Sequence, residues 1–379
     1  MGWALGLSGI FEGTLAGSKI LWFDTFSLAM NMDRIDPTQP CPNLSPEALR
    51  LGKGVSTLRA VLLMLLTSLS LASDLWAAEN PSNYPSRAVK LILPYAAGGF
   101  TDQASRVVSD SLTRTLGQPF ILESKAGGGG RIGAEYITKV APDGYELLMT
   151  TNGTHTYMAV TEKNLSYDPI KDFTPISLIG TYGLLMVINP SIPAQNLGEF
   201  IKYARANPGR LNYATSGVGS GLHFAGELFK SMADVNMVHI PYKGSGPGMQ
   251  DVIAGTCQVI FDGGAKPFVD AGKVRLLATT SGKRDPRYPQ MPTMGEAALA
   301  GYDLTYWLGL LGPKGLPKEI QMKLNAAIKT ALADPEVQAK LNGMGLNLVG
   351  SSPEALVADI KQETEKLRAI AATIPGGVQ

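Results

Sequence analysis

The chain has 379 residues, 45% apolar and 17% charged, a globular composition with length enough for two domains. Thirty-three Lys and Arg balance 32 Asp and Glu to a net charge of +1, which excludes the concentrated basic surface that displaces counterions from nucleic acid. Forty-three glycines and 25 prolines, spread without a low-complexity tract or a solenoid period, mark many defined turns.

Residues 1–52 mix aromatic, Gly and Pro residues without sustained periodicity and read as a doubtful extension. Lys53 and Arg59 then precede an apolar run over 60–72, the charged start and short apolar core of a cleavable secretory signal over 53–78. The run is shorter than the about 20 apolar residues that span a bilayer, and a cut near Ala77 or Ala78 is expected, with translation starting near Val55. The exported chain then keeps only Cys257, in an apolar strand pattern, so no internal disulfide is expected and the thiol reads as buried and inert.

Past the signal, strands and helices alternate. Residues 89–93 (Val-Lys-Leu-Ile-Leu) form a short apolar run stopped by Pro94, which predicts a buried strand. Gly98-Gly99 turn the chain, and Thr101 and Asp102 open a helix whose apolar positions Ala104, Val107, Val108, Leu112 and Leu116 recur every three to four residues. The first amides of such a helix have no internal partner and the helix dipole adds about half a positive charge there, which makes an anion cradle. An ordinary strand-to-helix turn, its glycines only closing the chain, is the other reading of this stretch. Strands follow over 120–123 and 146–150, with a helix through about residue 140 between them. An apolar run over 184–188 comes next, then a helix over 197–206, strands over 211–214, 238–242, 258–261 and 274–279, and helices over 222–233 and 249–254. An extended apolar piece covers 306–313, and helices cover 319–333, 335–344 and 353–370. Such alternation predicts an α/β fold of mostly parallel sheets flanked by helices. Every glycine-rich loop falls at the carboxyl end of a strand, the edge where open α/β sheets bind ligands.

A resemblance is carried by Tyr84-Pro85-Ser86-Arg87, the stretch from Pro94 to Asp102, Ala141-Pro142-Asp143-Gly144-Tyr145, Tyr167-Asp168-Pro169, Leu211-Asn212-Tyr213-Ala214-Thr215-Ser216-Gly217 and His239-Ile240-Pro241-Tyr242-Lys243-Gly244. Over residues 84–372 the chain resembles the Bug/TctC family of extracytoplasmic solute receptors of tripartite tricarboxylate transporters. The resemblance implies a two-lobed periplasmic-binding-protein fold of type II (Venus-flytrap), with 84–188 plus 306–379 as one lobe and 189–305 as the other. It also implies a monomeric periplasmic receptor, not an enzyme, that captures a small carboxylate between its lobes, without metal or cofactor, for membrane subunits or a signalling partner. The hinge is expected at the chain crossings near 184–188 and 306–310.

The candidate ligand residues are Tyr95, Ala97, Gly98, Phe100, Thr101 and Asp102 in the first loop, Asn152 and Thr154 after the third strand, Ser216, Gly217, Ser220 and His223 in the second lobe, and Tyr242 and Asp262 at later strand ends. No Arg or Lys stands in the first loop, so amides and Thr101 must hold any anion there. Asp102 would repel that anion, which points to a role in fixing the turn or orienting water, in meeting a ligand amine, or in complementing the helix dipole. His223 falls on the first turn of its helix, where a neutral imidazole either bonds the ligand or caps. Asp262 is followed by Gly263-Gly264-Ala265 where the family pattern has Asn and a Pro-Ser turn, so the contacts of this loop transfer weakly. The competing reading is a dinucleotide-binding oxidoreductase, from the Gly-x-Gly-x-x-Gly pattern of residues 128–133. That pattern sits in the second unit rather than the first, separated from its strand.

Overall fold

The structure, a computed structural model, describes residues 83–374. The expected signal and the extension before it lie outside the described residues. Among the described residues no helix is long and apolar enough to cross a membrane.

The buried run Val89–Leu93 is strand β1, and the strands that follow are β2 (Phe120–Ser124), β3 (Glu146–Thr151), β4 (Phe173–Gly183), β5 (Leu185–Ile188), β6 (Leu211–Thr215), β7 (Met237–Pro241), β8 (Val259–Asp262), β9 (Arg275–Thr279), β10 (Thr305–Pro313) and β11 (Asn347–Leu348). They form two sheets, in the orders β11-β4-β10-β3-β1-β2 and β7-β6-β8-β5-β9. β1 pairs in parallel with β2 and β3, and β6 with β7 and β8, as the alternation predicts. Both sheets are nevertheless mixed rather than mostly parallel. β10 runs antiparallel to β3 and β4, and β5 antiparallel to β8 and β9. These are the strands on which the chain passes between sheets, and a strand arriving from the other sheet has no crossover helix to set it parallel.

The 11-residue β4 escapes the sequence reading because Pro175 and Gly180 punctuate it. Pro175 is tolerated at an irregularity in the pairing, between Leu310 and Leu311 of β10. Its partner β10 runs from Thr305, opposite Gly183, to Pro313, opposite Phe173.

The chain passes from the first sheet to the second at Leu184, and returns through residues 280–304. Thr280, fully buried, stitches the two crossings. Its hydroxyl accepts from the Leu184 amide at 2.9 Å and donates to the Leu304 carbonyl at 2.9 Å. Its amide donates to the Leu184 carbonyl, and its carbonyl accepts from the Leu304 amide, both at 2.9 Å.

The C-terminal part of the chain covers the first sheet. Asn325, 2% exposed on the Lys318–Ala333 helix, donates to the Ile176 carbonyl at 2.8 Å and the Ser351 carbonyl at 2.7 Å, tying helix, β4 and the segment beyond β11 together. Asn325→Ala takes its donor from the Ile176 carbonyl and leaves the Ser351 carbonyl to the Ser177 hydroxyl, and is expected to cost about 1–3 kcal/mol, read as a lower urea midpoint with an unchanged slope.

A crevice of helix N-termini between two sheets

The loops at the carboxyl ends of β1, β2, β6, β7 and β8 meet between the sheets. The meeting is backbone against backbone. The Ala96 amide of the first sheet donates to the Lys243 carbonyl of the second at 3.0 Å. A Cβ on Gly244 would lie 2.8 Å from the Ala96 nitrogen, one on Gly246 2.8 Å from the Ala97 oxygen, and one on Gly129 2.3 Å from the Val218 oxygen. Only glycine permits that approach.

Under these contacts lies a crevice of about 30 Å³, room for one or two water-sized groups, lined by Tyr95, Phe100, Thr101, Asp102, Tyr182, Ser216, Leu222, Ser245, Asp262 and Tyr306 among others. Three helices begin at it: Phe100–Leu116, Gly221–Ala233 and Ser245–Ala254, each contributing first-turn residues to the lining. Each therefore turns the positive end of its dipole and its unshared amides toward one small space. Among the described residues no Lys, Arg or His lines it.

The crevice brings together Tyr95, Phe100, Thr101, Asp102, Ser216 and Asp262 from the sequence-derived set. Tyr95 is buried with its hydroxyl 3.0 Å from that of Thr151, and burial pushes its pKa up to about 12. Phe100 packs on Tyr182 with ring centroids 4.1 Å apart. Asp102 accepts from the Gly98 amide at 2.9 Å and is bound by Arg106 at 2.8 Å, so this carboxylate closes the turn and is matched by a cation outside the crevice. Ala97 and Gly98 are exposed at the rim. Asp262 is buried; it accepts from the Gly264 amide at 3.2 Å with the Ser245 hydroxyl beside it, and burial raises its pKa to about 6 against those bonds and the field of Arg287.

The remaining candidates spend their side chains elsewhere. Asn152 donates to Glu363 at 2.6 Å and to the Thr305 carbonyl at 3.1 Å. Thr154 bonds Thr150 at 2.7 Å and His155 at 2.8 Å. Ser220 caps its helix by accepting from the His223 amide, and Gly217 meets Gly129 across the seam. The His223 Nδ1 accepts from the Gly219 amide at 3.3 Å and its ring stacks on His239 at 4.0 Å, so it caps from inside the second lobe; burial lowers its pKa to about 4 and keeps it neutral. Tyr242 donates to Asp251, away from the crevice.

Tyr182, Leu222, Ser245 and Tyr306 were missed. Tyr182 sits on the unread β4, and Tyr306, which donates to the Gly221 carbonyl at 2.7 Å, read as plain core. Ser245-Gly246-Pro247-Gly248 reads as loop, yet it is the first turn of its helix, where a proline loses no intrahelical bond. The Gly-x-Gly-x-x-Gly segment leads into a seven-residue helix, Arg131–Ile137, and the Val218 backbone of the opposite lobe fills the space against Gly129 where a pyrophosphate would lie.

The chain is similar to known proteins in sequence and in fold. The family described as tripartite tricarboxylate transporter family receptor matches residues 104–375. Protein BugT of Bordetella pertussis is 30% identical over 293 residues, 76% of this chain and 90% of BugT. Rpa4515 of R. palustris, solved with adipate, superposes with a TM-score of 0.75 at 34% identity over 77% of this chain and 98% of its own. MatC (Rpa3494) of Rhodopseudomonas palustris, solved with bound malate, gives 0.73 at 32% over 76% and 99%.

Two outcomes are expected. Gly246→Ala removes a glycine from the first turn of its helix, a gain in stability below the about 1 kcal/mol of an interior position. Its methyl meets the immovable Ala97 to Gly99 backbone, however, so hydrogen exchange at Ala96 should quicken while the melting temperature holds or rises. Glu363, half-buried with its carboxylate against Asn152 and Trp307, has its pKa raised by desolvation from 4.5 to about 7. Its contribution is full below pH 4.5 and is lost as pH rises to about 7, roughly 3 kcal/mol. Asp262 acts with the same sign at lower pH. The Glu363→Gln variant, compared with wild type by urea unfolding from pH 5 to 8, should therefore lose less stability by about that amount.

Proposed function

Because the chain belongs to the tripartite tricarboxylate transporter receptor family, we propose that it is a periplasmic receptor that closes its two lobes on a small carboxylate and presents it to the membrane subunits of such a transporter. The observation that carries this reading is the convergence of three helix N-termini on one buried crevice that, among the described residues, has no basic side chain in its lining. Carboxylate oxygens accept from helix-start amides and from the hydroxyls of Thr101 and Ser216, the arrangement that suits a planar anion without a counter-cation. Malate in MatC and adipate in Rpa4515 are ligands of that chemical class.

The lobes are built on the two sheets and the hinge is the pair of crossings stitched by Thr280. As they stand, the lobes leave room only for water-sized groups, so a ligand enters by parting them. The receptor works as a monomer, binds without metal, cofactor or chemical conversion, and reaches the periplasm through the cleavable signal.

A thermal-shift panel tests the reading with malate, adipate, citrate, glutamate and NADH. A true ligand at about 100 times its dissociation constant adds roughly 2.7 kcal/mol, a clear rise in melting temperature. A rise with at least one acid and none with NADH is expected. A rise with NADH alone, or none across an extended set of organic acids, overturns it.

A further inference from the structure

Arg287, in the returning segment between β9 and β10, is a buried cation that touches the crevice-lining turn after β8. Its side chain is 4% exposed and that of its partner Asp285 is 3% exposed. The two form a two-pronged pair, Nε to Oδ1 at 2.8 Å and Nη2 to Oδ2 at 2.6 Å, which fixes the plane of the guanidinium. The remaining nitrogen, Nη1, then serves two carbonyls from different sheets. One is Gly263, 2.9 Å away, in the crevice-lining turn after β8. The other is Met344, in the turn between the Pro335–Gly343 helix and β11 of the first sheet. The first sheet makes room for it: Gly345 has φ +86°, and a Cβ there would lie 2.4 Å from the Arg287 Cζ.

We propose that Arg287 is a cross-lobe pin, a positioning residue that ties the Asp262 to Gly264 turn to the Met344–Gly345 turn of the other lobe and holds the lobes shut. A lysine offers one compact ammonium in place of the planar fork, so it cannot grip Asp285 at two points and both carbonyls at once. The inference borrows from the receptor reading only that the lobes part.

Its test is hydrogen exchange on the ligand-free protein, so a wrong ligand class leaves it standing or falling by itself. The reporter is the peptide over residues 94–99, whose Ala96 amide is bonded across the seam, and the control is β6 over 211–215. Arg287→Met is expected to speed exchange at the reporter at least about fivefold with β6 unchanged, and Arg287→Lys by less. Removing one member of a buried pair endangers folding. Gly345→Ala therefore attacks the same contact from the opposite lobe, leaving Arg287 and Asp285 in place, and should speed the reporter likewise. The double variant should add little to either single one, as two cuts of one contact do. Unchanged reporter exchange in a folded Arg287→Met or in Gly345→Ala overturns the proposal. So does a rise that appears equally in β6, which marks a merely structural role.

Discussion

Main chain meets main chain across the crevice, and the rest of the architecture depends on that contact being possible. At Gly129, Gly244 and Gly246 even a methyl group would collide with backbone atoms of the opposite lobe, and backbone cannot step aside as a side chain does. Close approach excludes water from the seam, so the partial charges at the helix starts act in a medium of lower polarity than bulk solvent. The glycines are therefore electrostatic devices as much as turn formers. They let three dipoles aim at one point.

An anion site made of amides handles its own carboxylates differently from one made of arginines. Asp102 sits at the lip of the crevice and is matched by Arg106 on the outside, its oxygens spent on holding the Gly98 amide. Asp262 sits inside with a raised pKa, satisfied by Ser245 and the Gly264 amide. Glu363 lies behind the β3 loop, taking Asn152 and Trp307 as donors. Each acid is hydrogen-bonded, as a desolvated carboxylate requires, and among the described residues no cation lines the crevice.

Mobility and rigidity are divided along the same lines. The β4–β10 ladder and the C-terminal helices make the first lobe stiff, while the two lobes are joined by two adjacent crossings through Thr280. Two parallel connections permit bending and resist twisting. Arg287 adds a contact away from those strands, reaching from one lobe to carbonyls of both.

Local physics was legible in the amino-acid sequence. A strand stopped by Pro94, a glycine turn and a helix with apolar residues three to four apart have one reading, and the alternation that follows gives two α/β lobes with loops at strand ends. The resemblance over residues 84–372 pointed to the same family. Side-chain destinations were not legible, because they depend on partners distant in the chain. Asn152 turns to Glu363, 211 residues away, and Tyr306 to Gly221, 85 residues away. Tyr242 and His223 stand beside the right loops yet are drawn into the second lobe by Asp251 and His239. Sequence alone thus determined which backbone would line the crevice, since amides and glycines act wherever the chain goes. Only the tertiary structure decided which side chains face it, since burial and long-range hydrogen bonds set their direction.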